Sequence, residues 1–458
     1  MKRFYNKTSF FNNLRRQLAF KLALFTRKCL MLLGRKATSM PGRVALKIYP
    51  RLLADLCNGR PVIVVSGTNG KTSTLNMLVH ILETDGRKVI ANRGGANMPD
   101  GFISAIAAQK DLLNSADTCL AFEVDEAWFA KISNQLQADL VIFTNLYRDQ
   151  ADRYGDPYAT RKLLESGLEQ VPEALLVTSA DEPLVASLGQ ARKAPAFYFG
   201  LDDSCLQSDL GDHPEEHFPS SCPICLEPLS FELKSLPGQG KYHCAACGFK
   251  RPALDLTILP QSAANRASFL GDYGNIDLNL THSALYELYN AAAAALSAQK
   301  WGVPGSVIRE GLESFSGIDF RNQQINLDQD RAICLNLVKN PVGMTVALES
   351  MAKQPVRYLL LAINNRESDG RDISWLSSVD YSALKACASQ LYNIVVSGSQ
   401  SAALKTELIK QGFDPQLIHE ETNISHAWQI INDSLKAGEL AYVLPNYTAM
   451  LDLQSVMH

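Results

Sequence analysis

Six residues, Gly67-Thr68-Asn69-Gly70-Lys71-Thr72, carry the parts of a phosphate site at short spacing. Two glycines allow a tight turn whose backbone N–H groups point at an anion. Lys71 supplies a point charge for β- and γ-phosphates, and Thr72 offers a hydroxyl to Mg²⁺. The usual eight-residue P-loop spacing is not met, because the position five before Gly70 is Val65. The setting compensates. Val62–Val65 is an apolar β-branched run of the kind buried in a parallel sheet, and 71-KTSTLNMLVHIL-82 reads as a helix that adds its positive end to the loop. The bland alternative is a strand-to-helix turn with a surface lysine. The coincidence of strand, glycines, Lys-Thr and helix argues against it.

A second constellation is Cys222-x2-Cys225-x18-Cys244-x2-Cys247. Four thiolates on two tight knuckles suit tetrahedral Zn²⁺ in a closed structural site. Two disulfides are the competing reading, and nothing in the chain points to an oxidising compartment. The other six cysteines are scattered and read as reduced core or surface residues. A third grouping is acidic: Glu123, Asp125 and Glu126 in 122-FEVDEAWF-129, where a strand would end. Ligands of open α/β sheets bind beyond the carboxyl ends of the strands, so a Mg²⁺ ligand is expected here. The next strand ends in 144-TNLYRDQADRYGD-156, dense in Asn, Asp and Arg.

These residues need a scaffold that brings strand ends together. The chain has 458 residues, 46% hydrophobic and 20% charged, enough for two or three domains. Strand-like runs at 119–126, 139–146, 174–179 and 196–200 alternate with helical stretches and predict a doubly wound α/β domain with parallel strands. A second α/β block with strands at 331–338, 357–364, 391–398 and 440–446 follows from about residue 325. The expected division is a basic N-terminal segment (1–55), a nucleotide-binding domain (56–320) interrupted by the cysteine ribbon (218–252), and a C-terminal α/β domain (321–458).

The net charge of −3 names no partner, but its distribution is uneven. Thirteen lysines and arginines and no acid precede Asp55. Residues 18–33 are apolar but broken by Lys21, Arg27 and Lys28, so neither a membrane span nor a cleavable signal is expected. Three readings of the segment stand: a basic amphipathic element on an anionic membrane surface, a solvated helix packed on the next domain, or an organellar transit peptide.

The loop at 67–72, followed by EVDEA and TN-x-x-RDQ-x-DRYG, resembles the Mur ligase family. More closely, the cysteine ribbon, 339-KNPVGM-344, 367-ESDGRDISW-375 and 445-PNYT-448 resemble its MurT branch, the synthetase subunits of lipid II isoglutaminyl synthases. The resemblance runs from about residue 35 to the end. It implies a Mur-ligase-like fold and cytoplasmic peptidoglycan chemistry. ATP would phosphorylate the α-carboxylate of D-glutamate in the lipid II stem peptide, and ammonia would displace the phosphate to give D-isoglutamine.

The resemblance also implies roles. Gly67, Thr68, Asn69, Gly70, Lys71, Thr72 and Ser73 would bind ATP, with Asn290 on the adenine-side helix and Arg321 in the linker motif. Glu123 would hold Mg²⁺ beside Thr72, and 93-RGGANM-98 would face the substrate. Ammonia would come from a separate glutaminase subunit resembling GatD, whose catalytic histidine Asp372 would orient. Three positions depart from the family pattern: Glu287 at an amide position, Phe320 for the glycine before Arg321, and Asn364-Asn365 for an Asp-Asn pair. Lys162 lies near a lysine that many Mur ligases carry carbamylated; an ordinary exposed lysine is the reading here. Alternatives in other classes are a stand-alone amino-acid ligase, active without a glutaminase, and a ribbon-based nucleic-acid binder, which leaves the DGRD stretch unexplained.

Overall fold

The computed structural model describes residues 2–35, 37–93, 96–147, 156–190, 192–208, 220–236, 238–261, 265–272, 274–280, 284–315, 323–327, 330–366, 369 and 371–457, with side chains from residue 12. The chain divides into two compact units, one reaching to Phe315 and one containing everything from residue 323.

The first unit opens with three helices, α1 (Lys2–Leu32), α2 (Met40–Ile48) and α3 (Leu52–Cys57). Strands and helices then alternate: β1 (Val62–Ser66), α4 (Lys71–Thr84), β2 (Val89–Ala91), α5 (Pro99–Ala108), β3 (Cys119–Glu123), α6 (Glu126–Leu136), β4 (Leu140–Phe143), α7 (Pro157–Glu169), β5 (Leu175–Ser179), α8 (Pro183–Gln190) and β6 (Ala196–Leu201). A hairpin of β7 (Ser230–Leu236) and β8 (Gln239–His243) follows. Then come β9 (Leu256–Pro260), β10 (Arg266–Gly271), β11 (Gly274–Asn279), α9 (Leu285–Lys300) and α10 (Gly305–Glu313).

β1 shows why the sheet is central. All five of its residues are buried. Ile63 and Val65 face a layer containing α4 and the alanine-rich α9, whereas Val62 and Val64 face a layer containing α5 and α6. The two-residue side-chain period thus splits one apolar run between two cores. The order β11-β10-β9-β6-β5-β4-β1-β3-β2 sets β1 between β3 and β4, so the loop after β1 opens where the winding reverses.

The sheet is not wholly parallel as expected. β2 to β6 and β9 run parallel to their neighbours, but β9–β10 and β10–β11 pair antiparallel. Gly274, at φ +82°, begins the return strand of that last hairpin. A two-strand return of this kind needs no crossover helix, so strand–helix alternation in the sequence does not reveal it.

The second unit holds β12 (Gln323–Asn326), β13 (Ala332–Leu335), α11 (Pro341–Ala352), β14 (Val356–Ala362), α12 (Ser382–Cys387), β15 (Asn393–Ser397), α13 (Ser401–Lys410), β16 (Ile418–Glu421), α14 (Ile424–Ser434), β17 (Leu440–Pro445) and α15 (Tyr447–Gln454). Its sheet has the order β12-β13-β17-β14-β15-β16, parallel except for β12 against β13. Again the buried strands divide their side chains between two cores: Leu359 and Leu361 face one, Tyr358 and Leu360 the other. Among the described residues, no helix is long and apolar enough to cross a membrane.

Candidate active site

β1 ends in Ser66, and the chain turns through Gly67 (φ +124°) and Gly70 (φ +83°) into α4. Both glycines are required twice over. Their positive φ disfavours any side chain, and an added Cβ would overlap Thr144 Oγ1 at Gly67 and Asn290 Oδ1 at Gly70. The loop is braced from the end of β4. Thr68 N–H donates to Asn145 O (2.8 Å) and Asn69 N–H to Asn145 Oδ1 (2.9 Å). Thr144 Oγ1 donates to Asn69 O (2.7 Å), and Tyr147 N–H donates to Thr68 Oγ1 (3.0 Å). α4 begins at Lys71, directly after Gly70, so the positive end of its dipole opens onto the turn.

Lys71 is buried and folds back over the turn. Its Nζ donates to Gly67 O, to Thr68 O (3.3 Å) and to Glu126 Oε1 (3.1 Å), and Glu126 is buried as well. Thr72 Oγ1 donates to Glu123 Oε2 (2.7 Å). Glu123 closes β3, where Asn92 clamps its backbone from both sides: Glu123 N–H donates to Asn92 Oδ1 and Asn92 Nδ2 donates to Glu123 O, both at 2.9 Å. The three clustered acids therefore separate into different tasks. Glu123 faces Thr72, Glu126 neutralises Lys71, and Asp125 caps α6 by accepting from Ala127 N–H (3.1 Å) and Trp128 N–H (3.3 Å). Gly67 through Ser73, Glu123 and Asn290 are brought together. Asn290 lies buried against Gly70, and Thr74 Oγ1 donates to its Oδ1 (3.4 Å). Arg321 and residues 94–95 and 148–155 lie outside the described residues. Lys162 is exposed on α7.

The four cysteines converge. Their Sγ atoms all lie within 4.8 Å of one another, and all ten cysteines are free thiols. The knuckles are built alike. Leu226 N–H donates to Cys222 O (2.9 Å) and Gly248 N–H to Cys244 O (3.0 Å), with left-handed φ of +66° and +76°. The N–H groups of Cys247 and Ala246 pull the Cys244 thiol down to about 7. The cluster can hold a soft-ligand metal in tetrahedral coordination.

The hairpin that carries the knuckles is tied into the rest of the first unit by buried polar contacts. The carboxylate of Asp181 accepts from Leu201 N–H (2.8 Å), Arg251 Nε (2.6 Å) and Tyr289 OH, while its carbonyl accepts from Gly240 N–H (2.8 Å). Burial pushes its carboxyl above the usual range, against the pull of Arg251. Gln239 Nε2 donates to Tyr147 OH, and the Tyr147 N–H holds Thr68. Tyr147 alone thus links the cysteine hairpin, at Gln239, to the glycine turn, at Thr68. Neither Tyr147 nor Gln239 carries a local signal in the sequence.

In the second unit, polar residues gather at the carboxyl ends of β14, β15 and β17. Asn364 N–H donates to Asn446 Oδ1 (3.1 Å), Asn446 Nδ2 to Asn364 O (2.6 Å), and Ser399 N–H to Asn364 Oδ1 (2.9 Å). Asn340 and Asn446, from two of the three quoted C-terminal motifs, cap α11 and α15. The two acids of the DGRD stretch differ. Asp369 is tied down, accepting from Thr448 N–H (2.8 Å), Thr448 Oγ1 and Arg366 N–H (3.2 Å). Asp372 is exposed and accepts from Ser374 N–H (2.8 Å). The Ser374 hydroxyl and N–H hold its carboxyl below the usual carboxylate range, so it is ionised at neutral pH.

Residues 65–221 match the Mur ligase middle domain family, and residues 337–450 match the MurT ligase C-terminal family. The chain is 31% identical to the MurT subunit of glutamine-hydrolysing lipid II isoglutaminyl synthase from Streptococcus pneumoniae, over 93% of this chain and 93% of that protein. The MurT subunit from Staphylococcus aureus is 28% identical, over 95% of this chain and 96% of its own. Among solved structures, a pseudomurein peptide ligase type C from Methanothermus fervidus superposes with a TM-score of 0.65 at 19% identity, covering 87% of this chain and 78% of that one. MurF ligase from Thermotoga maritima, in complex with ADP, gives 0.62 at 14%, covering 90% and 83%. Those two likenesses speak for the fold; the pneumococcal relative, matched over nearly the whole of both proteins, speaks for more. The chain belongs to the MurT family of Mur ligases.

Proposed function

We propose that this chain is the synthetase subunit of a lipid II isoglutaminyl synthase. It would amidate the α-carboxylate of the D-glutamate in the lipid II stem peptide, using ATP and ammonia from a glutaminase partner resembling GatD. The observation that carries the reading is the Thr72–Glu123 contact of 2.7 Å beside a buried Lys71, on a turn that admits no Cβ at either glycine. In this reading residues 56–320 bind ATP, 218–252 are an insertion, and 321–458 form the C-terminal domain that meets the glutaminase.

A carboxylate is a poor electrophile, and ATP supplies a good leaving group by making it an acyl phosphate. The N-terminal end of the α4 dipole and the Lys71 ammonium would take up the charge on the phosphates. Lys71 would exchange its carbonyl partners for phosphate oxygens while Glu126 keeps the side chain in the turn. Thr72 and Glu123 offer the hard oxygen donors that Mg²⁺ prefers. Arg321 would contact the nucleotide. Because the acceptor is lipid-linked, the reaction belongs at the cytoplasmic face of a membrane. The expected product, released only with ATP, Mg²⁺ and a nitrogen source, is a stem peptide lighter by one mass unit; mass spectrometry of the acceptor reads this directly. Unchanged acceptor under ammonium and with a glutaminase present would reject the reading.

We further propose that Cys222, Cys225, Cys244 and Cys247 hold one structural Zn²⁺. Such sites contribute ~10–16 kcal/mol in isolated finger peptides. Protein purified without chelator should contain one zinc per chain by elemental analysis, and none would refute the site. Cys244→Ser with Cys247→Ser should loosen the hairpin and, through Gln239, Tyr147 and Thr68, raise the ATP KM by about 3–10-fold, the loss of roughly one buried hydrogen bond. An unchanged ATP KM in zinc-free protein would disconnect hairpin from turn.

A further inference from the structure

α1 packs on α2 and α5, and it does so with one side only. Ala19 and Ala23 are fully buried, with Phe20 and Leu24 half-buried beside them. Small residues there let the helix approach its neighbours closely. The opposite side is uncovered. Leu14, Leu18, Phe25 and Leu32 are 53%, 50%, 65% and 79% exposed, and Lys21 and Lys28 are exposed between them. At 100° per residue these six positions fall within about 80° of arc, centred opposite Ala23. The result is a continuous exposed stripe of apolar side chains with cations set among them, about five helical turns long.

Isolated exposed leucines are ordinary on protein surfaces; an aligned row of four large ones is not. The charge pattern says what fits it. No acid occurs before Asp55, and thirteen cations do, so nothing in the segment neutralises the lysines of the stripe. A protein groove would need acidic groups matched to single positions, whereas an anionic bilayer offers phosphates at every position and an apolar layer just beneath. Leucine and phenylalanine at one level and lysines whose stems reach back to the headgroups suit a helix lying in the interfacial plane.

We propose that the outer face of α1 docks the protein on an anionic lipid surface. The helix lies parallel to the membrane, with Leu14, Leu18, Phe25 and Leu32 in the headgroup–acyl boundary and Lys21 and Lys28 on lipid phosphates. The helix is too polar to cross, and its inner side stays on the nucleotide unit, so docking needs no unfolding. The proposal rests on the reading above only in that a lipid-linked acceptor gives such docking a use.

The test is cosedimentation of the full-length protein with vesicles of phosphatidylcholine, with and without phosphatidylglycerol. Wild type should partition onto the anionic vesicles at least ~10-fold better than onto the zwitterionic ones, with the excess lost in high salt. Leu18→Ser with Phe25→Ser should cut partitioning by ~10-fold or more. Lys21→Glu with Lys28→Glu should remove the preference for anionic lipid. All four side chains are exposed, and circular dichroism verifies that the variants stay folded. Amidation of a water-soluble stem peptide should be unchanged in both variants, while amidation of acceptor carried in vesicles falls.

Partitioning that survives both double variants would overturn the docking face. So would wild type that ignores anionic vesicles yet sediments as a multimer that Leu18→Ser with Phe25→Ser dissociates, since the stripe would then bind a second copy. Vesicle binding in a protein that amidates no acceptor would support docking and count against the proposed reaction alone.

Discussion

Lys71→Ala should lower ATP-dependent amidation by about 10³-fold or more, whichever nitrogen source is supplied. One well-aimed cation or donor at a developing charge is worth ~10²–10³ in rate, and Lys71 also helps to bind the ground-state phosphates. The substitution has a second effect that the burial of the pair makes plain. It removes the ammonium 3.1 Å from Glu126, a buried carboxylate, so the variant should lose about 1–3 kcal/mol of stability. Lys71→Ala alone therefore mixes a chemical and a structural loss. Adding Glu126→Gln separates them, because the neutral amide no longer needs a cation. The double variant should regain most of the melting temperature and none of the activity. Amidation within tenfold of wild type in either variant would remove Lys71 from the phosphate site. Activity restored together with stability would make its role structural.

Asp372→Asn should depress glutamine-driven amidation by ~10²–10⁴-fold and spare amidation driven by ammonium salt. The proposal behind this is that Asp372 stands behind the catalytic histidine of the glutaminase partner. A carboxylate there holds the imidazole in its useful tautomer and steadies the imidazolium, and an amide does not. The structure supplies an exposed, ionised carboxylate on a loop that Asp369 pins to the start of α15. A competing role is also visible, since Asp372 accepts from Ser374 N–H at the start of a short 3-10 turn. Asn serves as well as Asp for that purpose. The substitution thus preserves the hydrogen bond from Ser374 N–H and deletes only the charge. Loss with both nitrogen sources would assign Asp372 to the synthetase chemistry, and loss with neither would leave it the local partner of Ser374 N–H.

Several parts of the fold and the site were legible because their determinants are contiguous. The four strands named in each block are present, since a run of four to seven buried apolar residues between breakers has few other uses. The loop at 67–72 and the two C-x2-C knuckles are legible for the same reason: glycine, lysine and cysteine do their work within a few residues of one another. What was missed depended on return strands and on caps. β2 is only three residues long, β16 reads as polar, and the antiparallel return of β10 and β11 leaves strand–helix alternation behind.

The acids show the boundary most clearly. Glu123, Asp125 and Glu126 are chemically near-identical and adjacent, and no local property distinguishes a Thr72 partner from a helix cap and a lysine counter-ion. Register does: β3 beside β1 sets Glu123 level with Val65, and the direction in which α6 leaves the strand points Glu126 at Lys71. The same holds for Asp369 and Asp372, three residues apart, one buried in contacts from α15 and the other left outside.

The sequence by itself determined the glycine turn at 67–72, the paired cysteine knuckles, the alternation that builds two α/β sheets and the one-sided charge of the N-terminal segment. All of these are properties of composition and of spacing within a turn or two. Tertiary structure alone decided that Asn145 and Tyr147 brace the turn, that Gln239 ties the cysteine hairpin to it, that Asn290 closes it from more than two hundred residues away, and which side of α1 is left bare. Those choices join residues far apart in the chain. Their energy comes from burying polar groups against specific partners, and a partner exists only once the sheet has set the strands side by side.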